Sequence, residues 1–225
     1  MVEFFLALAL FLLSHSIPAR PEIRGRLTGA FGERTYVILY SLLSLGLLAW
    51  LISAATRSPY VPVWNLAIGQ YYVPVILMLP TFMLFAGGAV SPNPFSISFS
   101  RRPYDPARPG IVAVTRHPIL GGFALWAFAH VVPNGDLVSL IMFGGFGLFA
   151  LAAMPLTDRR KRRQLGADWE RLAAGTSILP FAGDAPWRWP RGTLAATLIG
   201  GAGLYLLLLW LHPWLFGPDP RIVFS

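Results

Sequence analysis

Apolar residues along this chain gather into six long uninterrupted runs, at roughly 2–17, 35–55, 72–90, 111–133, 137–157 and 192–213. Neither the strict alternation of a half-buried strand nor the single apolar stripe of a soluble amphipathic helix describes them. A helix rises about 1.5 Å per residue, so a run of about 17–25 apolar residues spans the roughly 30 Å of bilayer hydrocarbon. The expectation is an all-α, polytopic transmembrane helix bundle of about six spans, forming one domain over residues 1–225. Met1 to Leu13 is expected to be the first helix and not a secretory signal. Glu3 stands where a positive n-region belongs, and no small-x-small cleavage site precedes the arginine cluster.

The polar positions between the runs set the expected orientation. Arg20, Arg24, Arg26 and Arg34 follow the first run, and Arg101, Arg102, Arg108 and Arg116 follow the third. Arg159, Arg160, Lys161, Arg162, Arg163, Arg171, Arg188 and Arg191 follow the fifth, leaving only Arg57 and Arg221 for the alternate loops and tail. Cations stay on the cytoplasmic side during insertion, so sixteen against two places the basic loops inside and both termini outside. Trp50, Trp64, Trp210 and Trp214 then read as an outer aromatic belt, and Trp169, Trp187 and Trp189 as an inner one. Gly192, Ala196 and Gly200 form a small-residue face on the last span, read as ordinary helix packing. Pro133-Asn134-Gly135-Asp136 predicts a tight turn that makes a hairpin of spans four and five. Five prolines within 91–110 forbid a helix there and favour extended chain. The segment 158–191 is expected to lie at the headgroup surface, held to anionic lipid by its cations.

Composition agrees with this picture: 55% hydrophobic, 12% charged, formal net charge +8. Cations set between apolar runs do not make the continuous basic face that nucleic acid requires, so no nucleic-acid partner is expected. With no cysteine in the chain, disulfides, thiolate metal sites, Fe–S clusters and cysteine nucleophiles are excluded. No P-loop, dinucleotide fingerprint or zinc-protease motif occurs. No span carries the carboxylate pair or inverted repeat of a transporter.

Ionisable residues inside spans are costly and are the default functional candidates. Three histidines qualify: His15 in Ser14-His15-Ser16, His117 in Thr115-Arg116-His117-Pro118, and His130 after Ala129. His212 sits near a helix end and reads as interfacial. Neutral imidazole is a good axial ligand for iron, and a helix bundle can hold a haem between facing helices. His117 and His130 are 13 residues apart, about 20 Å of rise and roughly 140° of rotation on one ideal helix, so they cannot share an iron. A bis-histidine site therefore needs His15, and the residues alone leave His117 and His130 both open as its partner.

The opening His-Ser before an arginine cluster, Gly32-Glu33-Arg34, Arg102-Pro103-Tyr104-Asp105-Pro106, Thr115-Arg116-His117-Pro118, and Trp126 with Ala129-His130 together resemble the NnrU family over nearly the whole chain. That family is associated with bacterial denitrification and is related to the plant and cyanobacterial 15-cis-zeta-carotene isomerase, a haem protein. The resemblance implies a haem b held by His15 and His130, with His117 as a further cofactor-binding histidine. It implies catalytic or substrate-contacting roles for Arg116 and His117, and a place in the cell inner membrane. Implied partners are membrane lipid and either a hydrophobic small molecule or components of a respiratory reductase. The isomerase has a cysteine three residues before its ligand histidine; here Ala127 stands there, so no exchange to a thiolate ligand is expected.

Arg116-His117-Pro118 with Gly121, and later Gly166, Trp169 and Pro180, is also similar to the isoprenylcysteine carboxyl methyltransferase and phospholipid methyltransferase group. That similarity implies an S-adenosylmethionine site at Arg116 and His117. The acidic pair of those enzymes is reduced here to Asp158. Three functions stand side by side: a haem protein of nitrogen-oxide respiration or polyene chemistry, a lipid methyltransferase, and an accessory membrane protein without cofactor.

Overall fold

In a computed structural model, which describes residues 1–16 and 20–224, every element is helical. The end of the first apolar run at Ile17 and the terminal Ser225 lie outside the described residues. The helices are α1 (Val2–Ser16), α2 (Pro21–Phe31), α3 (Glu33–Thr56), α4 (Ile68–Val90), α5 (Pro118–Val131), α6 (Leu137–Leu165), α7 (Asp168–Ala173) and α8 (Thr193–Phe216). Short 3-10 turns occupy Gly110–Ala113 and Pro220–Phe224. Four helices, α3, α4, α6 and α8, are long and apolar enough to cross a membrane. The two remaining apolar helices, α1 and α5, have 15 and 14 residues, or about 21–23 Å of rise.

The run at 111–133 departs from the expected continuous span. Only its second part is helical, because Pro118 cannot continue a helix from the preceding turn and instead takes the first position of α5. Gly110 at φ +61° opens the 3-10 turn before it, and residues 110–113 are buried. In the other direction, α6 runs past its apolar part through Asp158 and the whole cationic stretch to Leu165. Arginine and lysine are good helix formers, so nothing local ends the helix until Gly166, at φ +55°.

The chain divides into two compact units: residues 1–63 with 136–142, and residues 64–135 with 143–225. In the first unit α1 packs on α3 through Phe4, Ala7, Leu8, Leu51 and Ala54, all buried. The paired alanines allow close approach. Glu3 accepts hydrogen bonds from Trp50 Nε1 at 3.0 Å and from Arg57 at 2.6 Å, while His15 rests against Tyr40. These contacts pair the start of α1 with the end of α3, so the two run antiparallel.

In the second unit α4 is central, packed on α8 and on α5. Gly87 sits against Thr197 and Ile111, Gly88 against Pro118 and Ile119, and Gly122 against the ring of Phe85. On α8 the buried small face is Thr193, Thr197 and Gly201, one residue along from the expected Gly192, Ala196 and Gly200. A Cβ on Gly201 would lie 2.8 Å from Met83 Cα, whereas one on Gly200 would meet Ala86 at an ordinary 3.6 Å. The hydroxyls of Thr193 and Thr197 donate to the carbonyls of Pro190 and Thr193, so neither brings an unpaired polar atom into the contact.

The expected hairpin between α5 and α6 turns at Gly135, φ +58°, where a side chain would strike Trp64 O and Leu66. Within this unit Trp126 of α5 meets Phe143 and Phe146 of α6, and Gly147 leaves room for Phe128. The proline-rich segment 91–109 has no helix, as expected, but it is packed and not merely exposed. Phe95 joins Ile111, Val112 and Trp169 in a buried cluster. Trp169 is only 3% exposed and so is no part of an aromatic belt, which corrects the expectation for that residue. Burial against Phe95 at 5.4 Å between ring centres and beneath two guanidinium groups accounts for its place.

Candidate functional site

The densest polar constellation in the second unit is centred on Asp158, at the point where α6 passes from apolar to cationic sequence. One carboxylate oxygen takes a hydrogen bond from the Arg116 guanidinium and the other lies 2.9 Å from His117 Nε2. Arg116 also donates from Nε to Thr176 Oγ1 at 3.0 Å and from Nη2 to Thr176 O at 2.8 Å. Its guanidinium lies over the Trp169 ring at 5.3 Å and near the Phe95 ring at 5.9 Å. All five donors of an arginine are hard to satisfy in an apolar setting, and this one is met by charge, hydroxyl, carbonyl and π-faces together.

The backbone around Arg116 is held as firmly. Its N–H donates to Ser177 O at 2.7 Å, and its carbonyl accepts from Asn93 Nδ2 at 3.0 Å. Asn93 Oδ1 in turn accepts from the N–H groups of Phe95 and Ser96, so one side chain fixes the start of the proline-rich segment to the Arg116 turn. Thr115 Oγ1 donates to Ile178 O at 2.8 Å. These bonds tie four stretches distant in sequence into one cap: 91–96, 115–118, the end of α6, and 173–178.

His117 is fully buried, at 0% exposure, at the N-terminal boundary of α5. With Nε2 facing a carboxylate that nitrogen carries the proton, and Nδ1 is left with its lone pair. Nδ1 is buried and has no hydrogen-bond partner among the described residues. The carboxylate thus fixes the tautomer and the ring orientation, and the Nδ1 lone pair is the feature of the cluster that a donor could still use.

The structure brings Arg116 and His117 together, as their adjacency requires, and adds Asp158, Thr176 and Asn93. Sequence reasoning did not place Asn93 or Thr176 in a site, and named Asp158 only as the remnant of the methyltransferase acidic pair. Asp158 did leave a signal: it is the single acid between Asp136 and Asp168, set directly before five consecutive cations. Asn93 and Thr176 left none, since their roles depend on how the loops close.

His15 and His130 lie in different units, and each has a similar local setting. His15 Nδ1 is 2.7 Å from Phe11 O, and His130 Nδ1 is 2.7 Å from Trp126 O, the carbonyl four residues earlier in both cases. A carbonyl can only accept, so Nδ1 bears the proton and Nε2 is the lone-pair nitrogen. His15 sits among the rings of Phe11 and Tyr40, at 4.2 and 5.9 Å. His130 sits among those of Trp126 and Phe143, at 5.3 and 5.4 Å. Among the described residues no group of three or more His, Asp or Glu side chains is arranged to hold a bare metal ion.

The NnrU protein family matches residues 3–220 of this chain. The chloroplastic 15-cis-zeta-carotene isomerase of Arabidopsis thaliana is 34% identical over 73 residues, which is 32% of this chain and 20% of that protein. The corresponding chloroplastic enzyme of Zea mays is 27% identical over 157 residues, 67% of this chain and 42% of the enzyme. The matched region is therefore less than half the length of either curated relative. No solved structure matches. With the family matched from near the first residue to near the last, on an all-helical chain bearing four membrane-length apolar helices, the protein belongs to the NnrU family of membrane proteins.

Proposed function

We propose that this chain is a haem-binding integral membrane protein that acts on a polyene-like hydrophobic substrate in the inner membrane. Its basic loops face the cytoplasm. The observation that carries the reading is the common setting of His15 and His130. A backbone carbonyl holds Nδ1–H and leaves Nε2 basic, which is how ligating histidines are commonly oriented. The surrounding aromatic rings are suited to the faces of a flat macrocycle.

Each imidazole, taken within its own unit, offers an Nε2 lone pair of the kind that holds haem iron, and this reading assigns His15 and His130 as the ligands of a haem b. Such a group would supply one-electron chemistry to a conjugated substrate. The chain's own contribution is orientation and the exclusion of water. The i−4 hydrogen bonds set each imidazole, and the Asp158 cluster locks the cap from which α5 starts. His117 Nδ1, buried beside that cluster, keeps an unused lone pair. With Ala127 in place of a cysteine, the chain has no thiolate that would replace a histidine on a haem.

The test is isomerisation of a 15-cis polyene by protein reconstituted in liposomes, with cis and trans products separated by chromatography. Conversion by wild type that falls at least tenfold in His130→Ala is expected. Unchanged polyene with haem-loaded protein would overturn the substrate assignment.

A further inference from the structure

A cleft lined by unpaired cations lies away from the histidines, within the second unit, where the last turn of α4 meets the first turn of α8. It is an open cleft of about 540 Å³ lined by Val90, Ser100, Arg101, Arg102, Arg191, Gly192, Thr193 and Ala196. Three of these eight are arginines and none is acidic. Among the described residues no carboxylate pairs with Arg101, Arg102 or Arg191, although six ion pairs form elsewhere. Three guanidinium groups converging without a counter-charge repel one another unless an anion joins them.

The arginines are also placed, not merely present. Ser98 Oγ donates to Ser91 O at 2.6 Å, and Phe99 N donates to Ala89 O at 3.1 Å, so the segment before Arg101 is folded back against the end of α4. Ser98 Oγ then accepts from Ser100 N, and Ser100 Oγ from Arg102 N, at 3.1 and 3.4 Å. Arg102 Nη1 reaches Arg191 O at 3.3 Å, linking the two arginine-bearing segments across the cleft. Four hydrogen bonds thus hold the backbone that carries Arg101 and Arg102, and their exposed guanidinium groups beside Arg191 suit a polyatomic oxyanion.

The position of the cleft decides the kind of anion. Val90 and Ala196 belong to helices long enough to cross a membrane, and the arginines stand where both helices leave their apolar stretch. A phosphate at that level has acyl chains directly beneath it. Exposed Leu194 and Leu198 continue the apolar surface down α8.

We propose that this cleft is a binding site for the phosphodiester headgroup of an anionic phospholipid. Arg101, Arg102 and Arg191 hold the phosphate, Ser100 offers a hydroxyl, and the acyl chains lie along α4 and α8. The site is independent of any haem.

The experiment uses full-length protein purified in a neutral detergent, titrated with dioctanoyl phosphatidylglycerol, with dioctanoyl phosphatidylcholine and with inorganic phosphate. Binding is read by calorimetry. The variant Arg101→Gln/Arg102→Gln/Arg191→Gln is compared with Arg108→Gln/Arg159→Gln/Arg163→Gln, which removes equal charge from exposed positions elsewhere, in the proline-rich segment and on α6. A thermal melt confirms that both remain folded. Saturable phosphatidylglycerol binding is expected, weakened at least tenfold in the first variant and less than threefold in the second, with phosphatidylcholine and free phosphate at least tenfold weaker. Equal weakening in both variants, or no saturable binding, would overturn the site. Free phosphate binding as tightly as the lipid, and lost in the first variant, would overturn the lipid assignment in favour of a soluble phosphate ligand.

Discussion

Asp158 carries more than its share of the structure at the level of single residues. Its carboxylate meets Arg116 and His117, and the side chains of all three are largely or fully buried. Asp158→Asn removes the counter-charge while leaving the shape, and breaking a buried pair from one side costs about 3–5 kcal/mol. A loss of that order is expected in the unfolding free energy measured in detergent by a chemical or thermal melt. Asp168→Asn, which breaks the exposed pair with Arg171, is expected to cost less than about 1 kcal/mol.

Tyr104 gives a second residue-scale expectation. Burial pushes its phenol from the ordinary value near 10 up to about 12, against the opposing pull of Arg116. The folded protein then holds a proton between those values that the unfolded chain gives up, so stability is full below pH about 10 and declines as pH rises towards 12. Tyr104→Phe removes that decline. Ultraviolet titration of tyrosinate in the two proteins, run beside melts at each pH, checks it. A Tyr104 signal that titrates near pH 10 in folded protein would contradict the assignment.

At the scale of elements, hydropathy made most of the helices legible because a membrane-length apolar run admits few other structures. Runs at 35–55, 72–90 and 192–213 became helices close to those bounds, and the run at 137–157 became the first part of a longer one. The two failures have local causes. Pro118 divides the run at 111–133 into a buried turn and a short helix, and the polar end of α6 continues because arginine-rich sequence is itself helical. Small-residue spacing showed that α8 has a close-packing face but missed it by one residue, since Gly192, Ala196, Gly200 and Thr193, Thr197, Gly201 share the same period. Gly201→Ala is expected to lower stability by about 1–3 kcal/mol, because its Cβ would collide with Met83 backbone. Gly200→Ala, with only an ordinary 3.6 Å contact to Ala86 and a gain in helix propensity, should be neutral or stabilising. Melts of the two variants that moved together would show that the contact face is misplaced.

For the whole molecule, the sixteen-to-two division of cations is the basis of the proposed orientation, and the absence of cysteine makes it simple to test. Tyr60→Cys and Arg163→Cys are both exposed positions. In intact cells a membrane-impermeant maleimide is expected to label the first from outside and the second only after lysis. The reverse pattern would invert the topology. Composition made the membrane setting plain. The residues that build the Asp158 cap come from loops whose closure no periodicity encodes.

The central claim is tested most directly by an absorption spectrum and pyridine haemochrome assay on detergent-purified protein expressed with ample haem. The account expects a b-type Soret band in wild type, lost in His15→Ala and in His130→Ala and kept in His117→Ala. Its absence from wild type, or its loss on removing His117 while either of the other variants keeps it, would contradict the assignment of His15 and His130 as the haem ligands.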